Sequence, residues 1–356
     1  MKWRVARAVS LGAVFGMSLW TFLPVPQTPH VKTVELKRDT LMSAYGVIRD
    51  RGIPVADEKS AHLLMVGDMM FDRNVAARTK AAKDPEYPFR KLPENWFNSF
   101  DYAIANLEGV VTDQRRSPVK SIDFMFDPSI VATLKKRGID AVSQANNHAL
   151  DQGSPGNADS MRRLREGGLL AFGHQVDDGA ISLATTTVNG IRIAFLGYNT
   201  TDNPLDREQA LPIIQAAASS SDIVIAYVHW GIEYQDHPEA ASIDLSHWLI
   251  DQGVDVVIGG HPHWERGFSS YKGHPIAWSL GNFIFDQDFS KQTEQGLAIG
   301  LTLRGGSIEI EPIPMTIIKS QPEIASSVER TARLEALAKV SDPDLRDQIR
   351  AGKMVF

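Results

Sequence analysis

The chain has 356 residues, of which 43% are hydrophobic and 22% are charged, the balance of a folded globular protein. A net charge of −6 at pH 7 provides no general attraction to nucleic acid, so no nucleic-acid partner is expected. The absence of cysteine excludes disulfides, thiolate zinc sites and cysteine nucleophiles. Any metal ion would therefore be held by imidazole, carboxylate or amide groups.

The first 29 residues differ in composition from the rest of the chain. Three basic residues precede an uncharged stretch from Ala8 to Pro29, most apolar over residues 8–23. This apolar part is longer than a typical signal-peptide core and shorter than the ~20 residues of a spanning helix. We predict an uncleaved signal anchor, with a cleaved signal peptide as the alternative, because no small-residue cleavage pattern follows. The basic residues predict a cell-membrane protein with an extracytoplasmic body, or a secreted or periplasmic one after cleavage.

Four segments are expected along the chain. Residues 1–29 form the anchor or signal peptide with its Pro-containing linker, and residues 30–60 form a connecting segment. Residues 61–320 form the main domain, and residues 321–356 form a polar, helical C-terminal tail.

The main domain alternates short apolar runs with stretches that have helical character. Helices are predicted near residues 129–137, 155–167, 207–219 and 239–252. The continuous apolar runs are typical of strands buried on both faces of a sheet, so an α/β core is predicted. Each run ends in polar residues, and ligands of such sheets bind beyond the carboxyl ends of the strands. The runs are His62–Val66, Tyr102–Asn106, Ile139–Ser143, Ile223–Val228 and Val254–Ile258.

Two further stretches predict antiparallel hairpins, so the sheets are expected to be mixed (α+β). Ser182–Val188 and Ile191–Leu196 flank Asn189-Gly190, the pair that favours a type I′ turn. Gly296–Leu303 and Ser307–Pro312 flank a second turn that contains two glycines.

The strongest local signal for metal binding is His261-Pro262-His263, which follows the run that ends in Gly259-Gly260. Two imidazoles separated by one residue in a loop can face one site, and neutral imidazole is a common metal ligand. The preceding glycines permit close approach of the backbone.

Asn146-Asn147-His148 is the second signal. The amide oxygen of Asn147 is a suitable ligand for a hard cation, and His148 beside it is a candidate general acid. The alternative is a turn or helix start, since asparagine favours caps. Asp151 is expected to shape the turn and is not predicted as a ligand.

Asp68, Glu108 and His229 each stand at the end of a predicted strand. Taken singly, each carboxylate has a common alternative as a solvated strand end, and His229 as a core histidine. Taken together, five strand ends that supply Asp, Glu, Asn and His predict a divalent-metal site.

The ordered motifs GD, NLEG, ANNHxLDxG, HWGxE, GGHPH and SLGNFIFDQ resemble the bacterial capsule-synthesis (CapA-like, poly-γ-glutamate synthesis) family. That family is similar to the calcineurin-like metallophosphoesterases. The resemblance extends from about His62 to Met315. It implies that residues 61–320 are a CapA-like domain, folded as a four-layer α-β-β-α sandwich with the site at one edge.

The resemblance also implies a role for each candidate residue. One or two divalent ions (Mn, Fe or Zn) are expected, the first held by Asp68 and His263. Glu108 would bridge the two ions, and His148 would protonate the leaving group. The second ion would be held by Asn147, His229 and His261.

Two departures from the phosphoesterase pattern affect the first metal. Met70 stands where those enzymes have a histidine, and Glu108 stands where they usually have an aspartate. The first metal is thus left with Asp68, Glu108 and His263, and Asp72 and Arg73 are nearby candidates to fill the gap.

Two outer residues are also candidates. Glu233, four residues after His229, is predicted to orient a ligand imidazole. Asn282 is predicted to face the site, with a turn-supporting amide as the alternative.

Two functions remain open on the sequence. The first is a metal-dependent hydrolase or transferase that acts on a phosphoester or a γ-glutamyl amide. The second is a non-catalytic, membrane-anchored accessory subunit of a polymer synthesis and export complex. The expected partners are an anionic polymer or small-molecule substrate, together with membrane-bound polymer synthesis subunits.

Overall fold

The computed structural model of the protein describes residues 59–116, 118, 120–173 and 182–356. The predicted signal anchor and nearly all of the connecting segment lie outside the described residues. No helix in the described part of the chain has the length and apolar character needed to cross a membrane.

Seventeen strands and seven α-helices make up the described chain, together with 3₁₀ turns at Tyr87–Phe89, Phe97–Ser99 and Pro343–Leu345. The helices are α1 (Arg73–Ala82), α2 (Ile130–Arg137), α3 (Gly153–Glu166), α4 (Arg207–Ser220), α5 (Ala240–Asp251), α6 (Ser327–Lys339) and α7 (Arg346–Arg350). The strands are β1 (Ser60–Met69), β2 (Tyr102–Leu107), β3 (Val110–Val111), β4 (Met125–Phe126), β5 (Ala141–Ser143), β6 (Leu170–Phe172), β7 (Leu183–Val188), β8 (Ile191–Asn199), β9 (Ile223–His229), β10 (Val256–Gly260), β11 (Glu265–Tyr271), β12 (His274–Leu280), β13 (Asn282–Ile284), β14 (Gln295–Arg304), β15 (Ser307–Ile318), β16 (Gln321–Ile324) and β17 (Met354–Val355).

The strands form two large mixed sheets and one small ribbon. The nine-stranded sheet has the order β16-β15-β14-β1-β2-β5-β6, with β13 beside β1 and β17 beside β15. The six-stranded sheet has the order β11-β12-β10-β9-β8-β7, and β3 pairs with β4. In each large sheet the strands that carry the site residues run parallel to one another, whereas β14 is antiparallel to β1. The predicted mixed α/β class is confirmed.

The two large sheets pack face to face and each is covered by helices on its outer side. In β1, Leu63 and Met65 point into the core between the sheets, whereas Leu64 and Val66 point to the outer core under α1, α2 and α3. The six-stranded sheet buries its other face against α4 and α5. Successive side chains of a strand point to opposite faces of its sheet, and here both sets are apolar. Each sheet therefore needs a covering layer on both faces. The predicted four-layer α-β-β-α sandwich is confirmed.

The local predictions agree with the observed elements in most places. The four predicted helices correspond to α2, α3, α4 and α5, and both hairpins form, as β7–β8 and β14–β15. Asn189 and Gly190 both have positive φ (50° and 79°), the conformation that a type I′ turn requires.

The C-terminal segment differs from the predicted polar helical tail. Residues 321–356 do contain α6 and α7, but β16 and β17 also pair with β15 and extend the large sheet. Leu334 and Leu337 of α6 are buried in the core between the sheets. A short apolar face on an otherwise polar helix therefore makes this segment part of the domain.

Candidate metal centre

The carboxyl ends of five strands from the two sheets meet at one edge of the sandwich. Asp68 is the penultimate residue of β1 and Glu108 follows β2, while Asn147 and His148 lie in the loop after β5. His229 ends β9, and His261 and His263 lie in the loop after β10. All of these side chains except that of Asn147 are buried. The sandwich thus brings together every predicted ligand.

Asp68, Glu108 and His263 form the tightest group. Each offers one ligand atom, and these atoms lie within 4.8 Å of one another. His263 Nε2 is 3.9 Å from Glu108 Oε1, and His263 Nδ1 is 3.7 Å from Asp68 Oδ2. In this set Met70 stands where the resemblance leads one to expect a further ligand, and the three remaining candidate ligands nevertheless converge.

Glu108 provides the test of whether these residues fit a cation. Its side chain is fully buried, and neither carboxylate oxygen has a hydrogen-bond partner. Desolvation, followed by the charge of Asp68, raises the pKa of Glu108 well above its usual range. Because buried polar atoms are nearly always satisfied, two orphaned carboxylate oxygens facing a histidine and a second carboxylate fit a divalent ion. The donor set of oxygen and imidazole nitrogen suits Mn, Fe or Zn.

Asp68 is oriented by hydrogen bonds from both sheets. Asn106 Nδ2 donates to Asp68 Oδ1 at 2.8 Å, and the His261 backbone N–H donates to Asp68 Oδ2 at 3.2 Å. Burial outweighs these bonds and raises the pKa of Asp68 to about 6. The carboxylate is therefore held in place before any ligand binds.

The second predicted set is arranged around His229 and His261. His229 Nε2 lies 3.0 Å from Asn147 Oδ1, and the rings of His229 and His261 have centroids 4.8 Å apart. His261 Nδ1 is buried without a hydrogen-bond partner. Burial lowers the pKa of His261 to about 4 and that of His229 well below its usual range. A metal ion requires neutral imidazole, and His261 also has a nitrogen without a partner.

His148 is held by a residue that the sequence did not assign to the site. His148 Nδ1 lies 2.5 Å from Asp151 Oδ2, which also accepts the Phe124 backbone N–H at 2.7 Å. Lys120 Nζ lies 3.6 Å from the other Asp151 oxygen. His148 Nε2 then faces the centre, 4.0 Å from Glu108 Oε1. In the sequence, the feature that could have indicated this pairing is the position of Asp151 three residues after His148.

The gap at Met70 is not filled by Asp72. Met70 is fully buried and its sulfur accepts the Asp72 N–H at 2.9 Å. The two carboxylate oxygens of Asp72 accept the backbone N–H groups of Arg73 at 2.7 Å and Met125 at 2.9 Å, which caps α1. Arg73 pairs with Asp286 at the rim of the centre.

The two outer candidates have different surroundings. Asn282 Oδ1 lies 3.0 Å from His263 Nδ1, so this amide orients a candidate ligand. Neither ring nitrogen of His229 is bonded to Glu233 in the described chain. His229 Nδ1 instead lies 3.5 Å from Asn106 Nδ2. Glu233 contributes through its charge, which helps to raise the pKa of Glu108.

Position 260, directly before the histidine pair, has room only for a glycine. A Cβ atom at this position would lie 2.9 Å from Asp68 Oδ1 and 3.3 Å from His229 Nδ1. We expect Gly260→Ala to displace Asp68 and to reduce the increase in melting temperature that Mn²⁺ produces. Differential scanning calorimetry with and without Mn²⁺ measures this effect. Gly273→Ala is the control: its Cβ meets no atom within 4 Å, but its positive φ (84°) strains an alanine, so it should lower the melting temperature without Mn²⁺ and still preserve the full increase.

Fold and site together define a four-layer α-β-β-α sandwich with a candidate divalent-metal centre at the ends of its strands. Residues 62–287 match the model of the bacterial capsule synthesis protein PGA_cap. The chain belongs to this family.

The chain is also similar to individual Bacillus proteins and to a solved structure. The PGA biosynthesis protein CapA of Bacillus subtilis is 29% identical, over 82% of this chain and 80% of its own length. The capsule biosynthesis protein CapA of Bacillus anthracis is 27% identical, over 84% of this chain and 79% of its own length. A solved structure of a hypothetical protein from Thermus thermophilus has a TM-score of 0.41 and 15% identity, covering 74% of this chain and 97% of that one.

Proposed function

We propose that this protein is a metal-dependent hydrolase of capsule or poly-γ-glutamate synthesis that cleaves or transfers a phosphoester or a γ-glutamyl amide. The proposal is carried by the surroundings of Glu108: both of its oxygens lack a hydrogen-bond partner, and its Oε1 lies 3.9 Å from His263 Nε2 and 4.0 Å from His148 Nε2. A ligand group and a candidate acid thus face the same carboxylate. A structural metal site would not require the second of these groups.

The residues of the chain divide the chemistry among them. Asp68, Glu108 and His263 would hold one divalent ion, and Asn147, His229 and His261 would hold a second with Glu108 shared. Such ions activate water and stabilise negative charge on the attacked centre. His148 presents Nε2 to the centre and gives its proton to the leaving oxygen or nitrogen. Asp151 fixes the orientation of that ring from the opposite side.

The proposed setting is the cell surface, with an anionic polymer or a small molecule as substrate. The names of the Bacillus relatives and the predicted N-terminal anchor support this setting. Membrane-bound polymer synthesis subunits are the proposed protein partners. Nucleic acid is not proposed, because the net charge of −6 disfavours it.

The test combines metal analysis with a substrate panel on the purified full chain. We expect at least one Mn, Fe or Zn ion per chain, and Mn²⁺-dependent cleavage of bis-p-nitrophenyl phosphate or γ-glutamyl-p-nitroanilide. Chelation should remove the activity, and Mn²⁺ should restore it. His247→Ala is the control for substitution of a histidine at the centre, such as His148→Ala, because His247 stacks on Tyr271 away from the centre. Absence of bound metal after Mn²⁺ loading would contradict the proposed site.

The second candidate function is a non-catalytic accessory subunit that uses the centre to bind carboxylate or to stabilise the fold. Met70 favours it, because this buried side chain replaces a ligand of the phosphoesterases with a thioether. A protein that binds metal fully but cleaves no member of the panel would support this candidate over the first.

A further inference from the structure

Backbone strain is concentrated at the metal centre. Nine non-glycine residues of the described chain have positive φ, and five of them lie in helix caps or hairpin turns. The other four are His261 (92°), His263 (58°), Arg73 (49°) and Tyr234 (59°). Arg73 is the first residue of α1, and Tyr234 lies in a turn after β9. Strained backbone that clusters at one place in a fold is frequent at functional sites. The two histidines are candidate metal ligands, whereas Arg73 and Tyr234 are not.

Arg73 contacts Phe124, whose ring also contacts the candidate acid His148. Its guanidinium is 4.9 Å from the centroid of the Phe124 ring, and that ring is 4.0 Å from the ring of His148. Asp286 is its hydrogen-bond partner within the described chain, and the Arg73 side chain is 36% exposed. The remaining N–H groups of the planar fork are therefore available to a ligand. The charge of Arg73 is also felt at the centre, because it acts to lower the pKa of Glu108.

Tyr234 and Phe289 form the other side of the entrance. The Tyr234 ring stacks on the ring of His263 with centroids 6.0 Å apart. Phe289 packs edge-on against Tyr234 at 5.5 Å and is 65% exposed. A large aromatic side chain that is this exposed next to a buried polar centre leaves an apolar surface without a partner.

The loop of residues 286–289 connects the Arg73 side of the entrance to the Tyr234 side. Asp286 pairs with Arg73, and Asp288 pairs with Arg78 of α1 at 2.5 Å. Gln287, between them, donates to the Tyr234 hydroxyl at 3.1 Å. Phe289 follows directly, so Arg73 and Phe289 are held at a single rim of the metal centre.

We propose that Arg73 and Phe289 form a substrate subsite at this rim, which binds an oxyanion group carried next to the bond that is cleaved. This inference rests on the proposed function. A guanidinium fork matches carboxylate and phosphate oxygens alike, and its stacking on Phe124 leaves its edge free for such contacts. The exposed face of Phe289 packs against the apolar part of the same substrate.

Direct binding measurements on the Mn²⁺-loaded full chain test the subsite independently of turnover. The probes for isothermal titration are a γ-linked glutamate tetramer, the same tetramer with its carboxylates amidated, and a phosphoserine tetrapeptide. The variants are Arg73→Gln, Arg73→Lys and Phe289→Ala. The controls are Arg162→Gln, a surface cation paired with Asp159 and Glu166, and Val328→Ala, which is 80% exposed.

We expect Arg73→Gln to weaken binding of the carboxylate or the phosphate probe by roughly tenfold or more, since a charged hydrogen-bond partner is lost. Arg73→Lys should lose less, because the charge remains. Phe289→Ala should weaken binding by roughly threefold to tenfold, and both controls should bind as the wild type does. Loss on the carboxylate probe alone identifies a carboxylate substrate, and loss on the phosphate probe alone identifies a phosphate substrate.

Two results would overturn the subsite: equal affinity of Arg73→Gln and wild type for both anionic probes, or equal affinity of wild type for the charged and amidated tetramers. If Arg73→Gln fails to fold, Arg73→Lys and Phe289→Ala carry the same test. Wild type that binds these probes without turnover would reject the hydrolase function and retain the subsite. Intact turnover together with variants that bind as the wild type does would reject the subsite and retain the hydrolase function.

Discussion

Glu108→Gln is expected to abolish tight metal binding while leaving the metal-free fold as stable as the wild type, or more stable. Glu108 is the residue that both proposed ligand sets share, so its loss should weaken affinity by at least ~100-fold, beyond what the loss of an outer-sphere contact causes. In the metal-free protein the buried carboxylate has no hydrogen-bond partner and lies near Asp68. A neutral amide of similar volume removes this unfavourable charge.

Thermal unfolding with and without Mn²⁺ separates these two effects. At a free ion concentration of roughly 100 times Kd, binding stabilises a folded protein by about 2.7 kcal/mol. The wild type should gain this stability, and Glu108→Gln should not. Glu311→Gln is the control, because Glu311 is half exposed and pairs only loosely with Arg330, at 3.6 Å. A Glu108→Gln protein that Mn²⁺ stabilises as much as the wild type would exclude Glu108 as a ligand.

His148→Ala should lower kcat by roughly 10²–10⁴-fold, because it removes the proposed proton donor to the leaving group. Metal content should not change, since His148 is not in either ligand set. The loss should be largest for substrates with a poor leaving group and smallest for p-nitrophenyl esters, whose leaving group departs without protonation. A uniform loss across leaving groups would indicate that His148 binds substrate and donates no proton.

Asp151→Asn tests the support of that histidine. The aspartate oxygen at 2.5 Å from His148 Nδ1 keeps the ring turned so that Nε2 faces Glu108. We expect a smaller fall in kcat than for His148→Ala, with KM little changed and the same dependence on the leaving group. Asp244→Asn, a surface carboxylate paired with Arg207, is the control for the charge. A change in KM alone would assign Asp151 to a structural role only.

The elements of the fold could be predicted because their signals are local. Continuous apolar runs indicated strands covered on both faces, and Asn189-Gly190 indicated the β7–β8 turn. The position of Asp68, Glu108 and His263 at strand ends followed from the same runs, since the chain leaves a buried strand where polar residues begin. The ligand roles of these residues came from the resemblance of the ordered motifs.

The C-terminal segment was predicted less well, because strand pairing depends on distant residues. The strands β16 and β17 are only four and two residues long, and each exists because β15 offers an edge to it. No local periodicity distinguishes so short a strand from a loop. The same limit applies to Leu334, whose burial depends on the packing of α6 against the two sheets.

The candidate metal centre shows what the sequence contributes and what the tertiary structure contributes. The sequence by itself determined the chemistry that is present: imidazole, carboxylate and amide groups at five strand ends, without cysteine. Only the tertiary structure decided which atoms meet. It placed Asn106 against Asp68 and Asp151 against His148, and it made the first ligand set converge despite Met70. The physical reason is that hydrogen bonds and charges act over a few ångströms, whereas the residues that they join lie far apart in the chain. Asp68 and His261, for example, are 193 positions apart.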